Sequence, residues 1–380
     1  MSDYGHAVPV TAQSASSNAE SPTTVLRRDP SLLDDVVTRL RERVASGALP
    51  AAALAIGDAD GGIRSETFSA DPRGLSRDSL FFLASVTKPI FATAFMQLVD
   101  DGLLALDDPL VRFIPEFANG PGKTDVTPWH LLTHTSGVPD ITPDTIRRVR
   151  PGAAAMTQMA IDAPLRSKPG SRYEYCTATF YLLARVIERL TRDSYTDFLR
   201  TRLLEPLGMQ STFDPRRSKQ PLVAVQGVGV NNRLTRFVVL RYLARAALPG
   251  GGLFGSLDDL LSFGAATLRP RRGEGEGGRW VPLSPDSIEL MTKDHLRGLP
   301  GVFDGEERGV HFGLGWGKPT LMRELPGSDS VVSHGGATGT RLWIDPEAGL
   351  VIVFFTNQWS ADRGPEADTI RGTYEALGLA

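Results

Sequence analysis

Ser85 and Lys88 form an SxxK pair at the head of an apolar helical run through Ile90, Phe91, Ala94, Phe95, Leu98 and Val99. Residues three apart on a helix share a face, so the lysine amine can reach the serine hydroxyl. A serine hydroxyl is a poor nucleophile until a neighbouring base takes its proton, and a desolvated lysine can be neutral enough to do so. The chemistry this pair could perform is acyl transfer through a serine ester. A helix cap followed by a solvated lysine would leave the same pattern. Two features favour chemistry. Only Lys88 of the six lysines has a serine three positions upstream, and the apolar Phe81, Phe82, Leu83 and Ala84 place the pair at a buried helix start.

Other patterns carry less. His130 and His134 have the i, i+4 spacing of some zinc sites, but Leu131 stands where the glutamate of HExxH would be, so both are read as structural. Gly250, Gly252 and Gly255 satisfy GxGxxG without a preceding strand, which argues against a dinucleotide site. Ser256 and Asp259 read instead as a helix cap after a glycine-rich turn. Cys176 lacks the context of a thiol nucleophile and reads as a small buried residue.

The elements that must position Ser85 and Lys88 follow from periodicity. Residues 1–28, rich in Ser, Ala and Thr, read as a disordered leader. Leu32, Leu33, Val36, Val37, Leu40 and Val44 recur at helical spacing up to Gly47. Ala51–Ile56 reads as a buried strand, returned by Ile63–Phe68 after a turn at Gly61 and Gly62. From about Leu80 to Leu268 the pattern is mostly helical. RPRRGEGEGGR at Arg269–Arg279 reads as a mobile surface loop. Strands follow at Val331–His334, Thr340–Ile344 and Val351–Thr356, and a last helix at about Glu366–Leu377. This order predicts an α/β (α+β) architecture, with an α/β domain from 29–79 and 300–380 and a helical domain from 80–299 inserted in it.

Composition excludes several classes. The 41 Lys and Arg against 44 Asp and Glu leave a net charge of -3, which argues against a nucleic-acid binder. One cysteine rules out an internal disulfide framework, and one cysteine with six scattered histidines supplies no metal set, so neither metal nor cofactor is expected. No secretory signal or membrane span is visible, and a cytoplasmic protein with no membrane partner is expected. The sequence does not specify an oligomeric state.

Four further segments bear on the SVTK pair: LLTHTSG at Leu131–Gly137, YEYCTATFYLL around Tyr175, GGLF at Gly251–Phe254 and HGG at His334–Gly336. With EPLGM at Glu205–Met209, their order and spacing from about Ala51 to Asn357 resemble the serine β-lactamase-like superfamily. The resemblance is greatest to its branch of class C β-lactamases, family VIII carboxylesterases and penicillin-binding-protein relatives. It implies a β-lactamase/transpeptidase-like fold, an antiparallel sheet flanked by helices with an inserted, mostly helical part. It also implies that Ser85 is the acylated nucleophile, Lys88 its proton acceptor and Tyr175 the tyrosine of the family's YxN element. Tyr173 is the alternative register, and which of Lys88 and Tyr175 takes the first proton stays open, since the two would titrate as a pair.

Thr177 stands where the Asn of YxN belongs, which puts the family's amide contact, and with it β-lactam hydrolysis, in doubt. His334, Gly335 and Gly336 take the place of the KTG triplet, as in esterase-like members. The resemblance further implies an oxyanion hole from the backbone N–H groups of Ser85 and Ala337. His334 either orients substrate or Tyr175, or is a strand-end histidine satisfied by backbone. Val138–Pro164 and Phe312–Trp316 are expected to shape the pocket, with Trp316 suggesting an apolar or aromatic acyl group. The expected activity is hydrolysis of a small-molecule ester or activated acyl substrate. The alternatives are acyl transfer to an amine or alcohol and, behind it, β-lactamase or DD-peptidase activity or ligand binding without turnover.

Overall fold

The described strands are β1 (Ala51–Asp58), β2 (Gly61–Ser69), β3 (Phe81–Phe82), β4 (Tyr173–Glu174), β5 (Phe254–Gly255), β6 (Leu299–Phe303), β7 (Glu306–Val310), β8 (Val332–Gly336), β9 (Thr340–Asp345) and β10 (Leu350–Phe355). The helices are α1 (Asp34–Ala45), α2 (Thr87–Asp100), α3 (Pro128–Leu132), α4 (Pro143–Val149), α5 (Ala153–Asp162), α6 (Thr179–Thr191), α7 (Tyr195–Leu199), α8 (Arg233–Ala246), α9 (Leu257–Leu268), α10 (Pro285–Thr292) and α11 (Gly364–Leu377). This computed structural model describes residues 29–72, 74–227, 232–269, 280–303, 305–321 and 325–379. The expected leader and the glycine-rich loop after Arg269 lie outside them. Among the described residues no helix is long and apolar enough to cross a membrane.

Five strands form the central sheet in the order β2-β1-β10-β9-β8, with every pairing antiparallel. β1 and β10 are buried along nearly their whole length, so alternate side chains must enter two different cores. Ala52, Leu54, Ile56, Ile352 and Phe354 meet Val36, Leu40 and Val44 of α1 and Ile370, Tyr374 and Leu377 of α11. Ala53, Ala55, Val351, Val353 and Phe355 face the other way, into the core shared with α2, α6 and α9. Each fully buried aliphatic side chain contributes roughly 1.5–3 kcal/mol, so either layer alone would leave the sheet unstable. α9 crosses closest at Gly264, where an added Cβ would lie 2.5 Å from a Val351 methyl.

Packing does not divide the chain at the expected domain boundaries. α9 belongs by sequence to the 80–299 segment but covers the central sheet, because that face would otherwise be bare. β6 and β7, placed by sequence at the edge of the α/β part, form a separate small sheet with β4, in which Tyr173 registers with Gly301. α2 threads the shared core and is buried on all sides from Thr87 to Leu98, as expected of a helix with apolar residues around its whole circumference. Its Pro89 sits in the first turn, where no intrahelical N–H is required.

Candidate active site

A short 3-10 turn, Ala84–Val86, leads into α2 and presents Ser85. Ala84 has φ of +47°, a conformation that side-chain-bearing residues rarely adopt and that persists only where neighbours enforce it. Here they do. The Thr338 hydroxyl donates to Phe82 O at 2.6 Å and that of Thr340 to Leu83 O at 2.9 Å. Leu83 N–H donates to Leu253 O, and Leu253 N–H to the Thr87 hydroxyl. The β8–β9 hairpin and the GGLF segment thus hold the serine turn from two sides, with Phe82 registered against Phe254.

Gly336 makes this approach possible, since an added Cβ would collide with Leu83 O and Thr340 Oγ1. We expect Gly336→Ala to cost about 1–3 kcal/mol in overpacking and to slow acylation of Ser85 about 10²-fold through displacement of the turn. Thermal unfolding and the rate of Ser85 labelling by an activated ester check this. Wild-type values for both would mean that β8 is free to retreat.

The structure brings Ser85, Lys88 and Tyr175 together. The Tyr175 hydroxyl donates to Ser85 Oγ at 2.8 Å. Lys88 Nζ, on a fully buried side chain, donates to Ser85 Oγ at 3.3 Å, Thr177 Oγ1 at 3.2 Å and Gly250 O at 2.7 Å. The same nitrogen lies 4.6 Å from the centre of the Tyr175 ring and 5.4 Å from that of Phe180. Of these three partners only Gly250 O is obliged to accept, while the two hydroxyls each have a hydrogen of their own to give. Tyr173, the alternative tyrosine, points into a separate cluster with Leu296, Val310 and Phe312 and is fully buried.

His134 is a positioning residue that sequence reasoning treated only as structural. Its ring nitrogen Nδ1 accepts from Cys176 N–H at 3.2 Å and its carbonyl accepts from Glu174 N–H at 2.9 Å, so it grips the chain on both sides of Tyr175. Its ring lies 4.7 Å from that of Tyr175. The cue in the sequence was LLTHTSG itself, and the left-handed backbone at His134, φ +58°, aims the ring back at the strand. Burial, reinforced by the charge of Lys88, holds its pKa well below the ordinary histidine value, so the ring is neutral. His130 plays a different part: it closes a capping box with Thr127 at the start of α3. Ser256 and Asp259 do the same for α9.

His334 follows the same electrostatic logic from the other side. Burial first, then Lys88, push its pKa down to about 3. The ring is therefore neutral at ordinary pH, and its Nδ1–H donates to Gly335 O at 2.9 Å. That tautomer leaves a lone pair on Nε2, which is buried and has no protein partner among the described residues. Opposite Gly335, Arg341 donates through Nε to Glu366 at 2.6 Å and through a terminal nitrogen to Ser333 Oγ at 3.2 Å.

Two cavities meet at the serine, sharing Ser85, Asp140 and Ala337. One, of about 490 Å³, runs beneath α4 and α8 past Thr177 and Gly250. The other, of about 600 Å³, is bounded by Tyr175, Arg166, His334, Gly335 and Gly336. Asp140 buttresses the junction by accepting from the N–H groups of Ile141 and Ala178 at 2.9 and 3.0 Å. Trp316 requires a correction: it lines neither cavity but is 1% exposed in the core, stacked on Phe263 of α9 at 6.2 Å. Gly315, with φ of +79°, turns the chain so that the indole goes under α2 instead of towards the serine. No group of three or more His, Cys, Asp or Glu among the described residues could hold a metal ion.

Comparison with known proteins agrees with this architecture. The profile of the beta-lactamase family matches residues 36–375. Penicillin-binding protein 4 of Amycolatopsis lactamdurans is 31% identical over 321 residues, covering 81% of each chain. Esterase EstB of Burkholderia gladioli is 30% identical over 325 residues, covering 75% of this chain and 79% of the relative. Among solved structures, EstCE1, described as a hydrolase with promiscuous acyltransferase activity, superposes with a TM-score of 0.74 at 21% identity, covering 92% of this chain and 99% of that one. A match that spans both halves of the central sheet and everything between them makes this chain a member of the beta-lactamase family of serine hydrolases.

Proposed function

We propose that the protein is a carboxylesterase-like serine hydrolase that forms an acyl-enzyme at Ser85. The observation that carries this reading is the position of Ser85 Oγ, 2.8 Å from the Tyr175 hydroxyl and 3.3 Å from Lys88 Nζ, where two cavities open. In this reading Lys88, 3.3 Å from Ser85 Oγ and 4.6 Å from the centre of the Tyr175 ring, acts through its charge. It favours the phenolate of Tyr175, which accepts the serine proton, and steadies Ser85 Oγ as it attacks. The backbone N–H groups of Ser85 and Ala337 receive the charge that develops on the carbonyl oxygen. Tyr175 then returns the proton to the departing alcohol, and water releases the acid by the same steps in reverse order.

Thr177 bears on the substrate. In this chain its hydroxyl is engaged by Lys88 and no amide stands in its place. We therefore expect kcat/KM for a cephalosporin to fall at least about 10²-fold below that for the best simple ester, since a site without the matching polar contact cannot favour the lactam's side-chain amide. Steady-state kinetics on a panel of p-nitrophenyl esters and cephalosporins tests the reading. Comparable rates on the two classes would overturn it.

Transfer to an amine or alcohol is the second reading. It is favoured by the size of the cavity on the Tyr175 side, and by the likeness to EstCE1, a hydrolase with promiscuous acyltransferase activity. Product partitioning separates the two. Dominant transfer at millimolar acceptor, with slow release of free acid, would replace hydrolysis by transfer.

A further inference from the structure

The smaller of the two cavities at Ser85 continues away from the serine. It shares Ser85, Asp140 and Ala337 with the Tyr175 side, and Leu222, Val223, Ala224 and Arg236 with a further cavity that Ser85 does not line. Ser85 and Arg236 therefore stand towards opposite ends of it, with Met156, Leu240 and Leu243 among its apolar walls.

The hydrogen-bonding capacity left unspent differs from one end to the other. Towards the serine, Thr177 accepts from Lys88, and one oxygen of Asp140 accepts from two backbone N–H groups. On the wall, the Tyr181 hydroxyl donates to Ala246 O at 3.1 Å. At the far end the half-buried Arg236 of α8 gives one N–H to Leu222 O at 3.0 Å, and no carboxylate pairs with it among the described residues. A guanidinium carries five N–H groups and no acceptor, so most of its donors remain to be used. Trp359 lines the same cavity, and its indole N–H has no partner among the described residues. Both side chains can only donate. What they lack is an acceptor, and what the cation lacks is an anion.

Ester cleavage fixes which half of the substrate goes where. The Ser85 Oγ–carbon bond forms, the bond from the carbonyl carbon to the alkyl oxygen breaks, and the serine proton ends on that alkyl oxygen by way of Tyr175. No other reactant is needed and charge is conserved. The leaving oxygen must therefore face Tyr175, in the larger cavity, which turns the acyl group towards the smaller one and Arg236.

Resting on the Ser85 reading above, we propose that the acyl group this enzyme selects ends in a carboxylate, which Arg236 binds at the end of the cavity remote from Ser85. Two carboxylate oxygens match the fork of a guanidinium, and such charge-assisted bonds are stronger than neutral ones. Without Arg236 the same carboxylate would give up its water among Met156, Leu240 and Leu243 for no return. Asp140, at the serine end, repels an anion placed there and so favours the extended placement.

The test uses the full chain and the p-nitrophenyl half-esters of adipic, pimelic, suberic and azelaic acids, each against the p-nitrophenyl alkanoate of equal chain length. At the best length the half-ester should exceed the alkanoate in kcat/KM by at least about 10-fold, the scale of a hydrogen bond to a charged partner. In Arg236→Met this ratio should fall below one, whereas Arg236→Lys, which keeps the charge, should hold it above one. A ratio of two esters on one preparation does not depend on the fraction that is folded. Alkanoates equal to or faster than half-esters at every length, or a ratio that Arg236→Met leaves unmoved, would overturn the proposal while Ser85 still gained an acetyl mass from p-nitrophenyl acetate. Absence of any Ser85 adduct with every ester would remove the hydrolase reading instead, and this proposal with it.

Discussion

Ser85→Ala is expected to abolish the covalent adduct and to lower ester turnover by about 10⁴-fold or more, the scale on which removal of an acylated serine acts. The fold should persist, because Ser85 Oγ only accepts bonds from Tyr175 and Lys88, and its loss removes little volume from a side chain that borders two cavities. Intact-protein mass measurement after exposure to p-nitrophenyl esters reads the adduct, and circular dichroism reads the fold. An acyl mass retained on the Ser85→Ala variant would place the nucleophile elsewhere.

Lys88→Met and Tyr175→Phe should both lower the single-turnover acylation rate by at least about 10²-fold, the one by removing the charge beside the serine and the other by removing the group that carries its proton, yet they should part company in stability. Lys88 is fully buried, and its removal leaves Gly250 O facing a thioether that cannot donate to it. An unsatisfied buried carbonyl costs about 1–3 kcal/mol. Tyr175 is 39% exposed and its hydroxyl is bonded to Ser85, so the phenylalanine variant should unfold at nearly the wild-type denaturant midpoint. Wild-type acylation in the phenylalanine variant would remove Tyr175 from the proton path. An unchanged unfolding midpoint in Lys88→Met would show that Gly250 finds another donor.

The sequence was informative where a residue's role is written in its type and spacing. SxxK at a helix start is such a case, and so are the apolar runs of β1, β9 and β10; Tyr175 was marked by the family resemblance, since alternation alone left Tyr173 as its equal. It was silent on Gly250, which acts through its backbone carbonyl, a group every residue has. It misdirected at Trp316, because an indole beside a glycine reads the same whether it faces a cavity or a core, and only the left-handed turn at Gly315 decides. β6 and β7, with Pro and Gly in LPGVF and charge in EERGV, show no alternation to mark them as strands. The apolar wall that α8 offers to the cavity beneath it was masked by the four arginines in RLTRFVVLRYLARA. His134 stood within a recognised motif, but its grip on both sides of Tyr175 depends on contacts some 40 residues apart along the chain, which spacing does not encode.

The bonds of Lys88 reach across the chain: Thr177 lies 89 residues from it and Gly250 lies 162. Contacts so distant carry a loop-closure cost and form late, once the segments between them have compacted. Until the chain through Gly250 has been synthesised and docked, Ser85 is an ordinary hydroxyl with no charged neighbour held beside it. On the acyl-enzyme reading, the three bonds of Lys88 complete the serine site only once segments on both sides of it in the chain have docked.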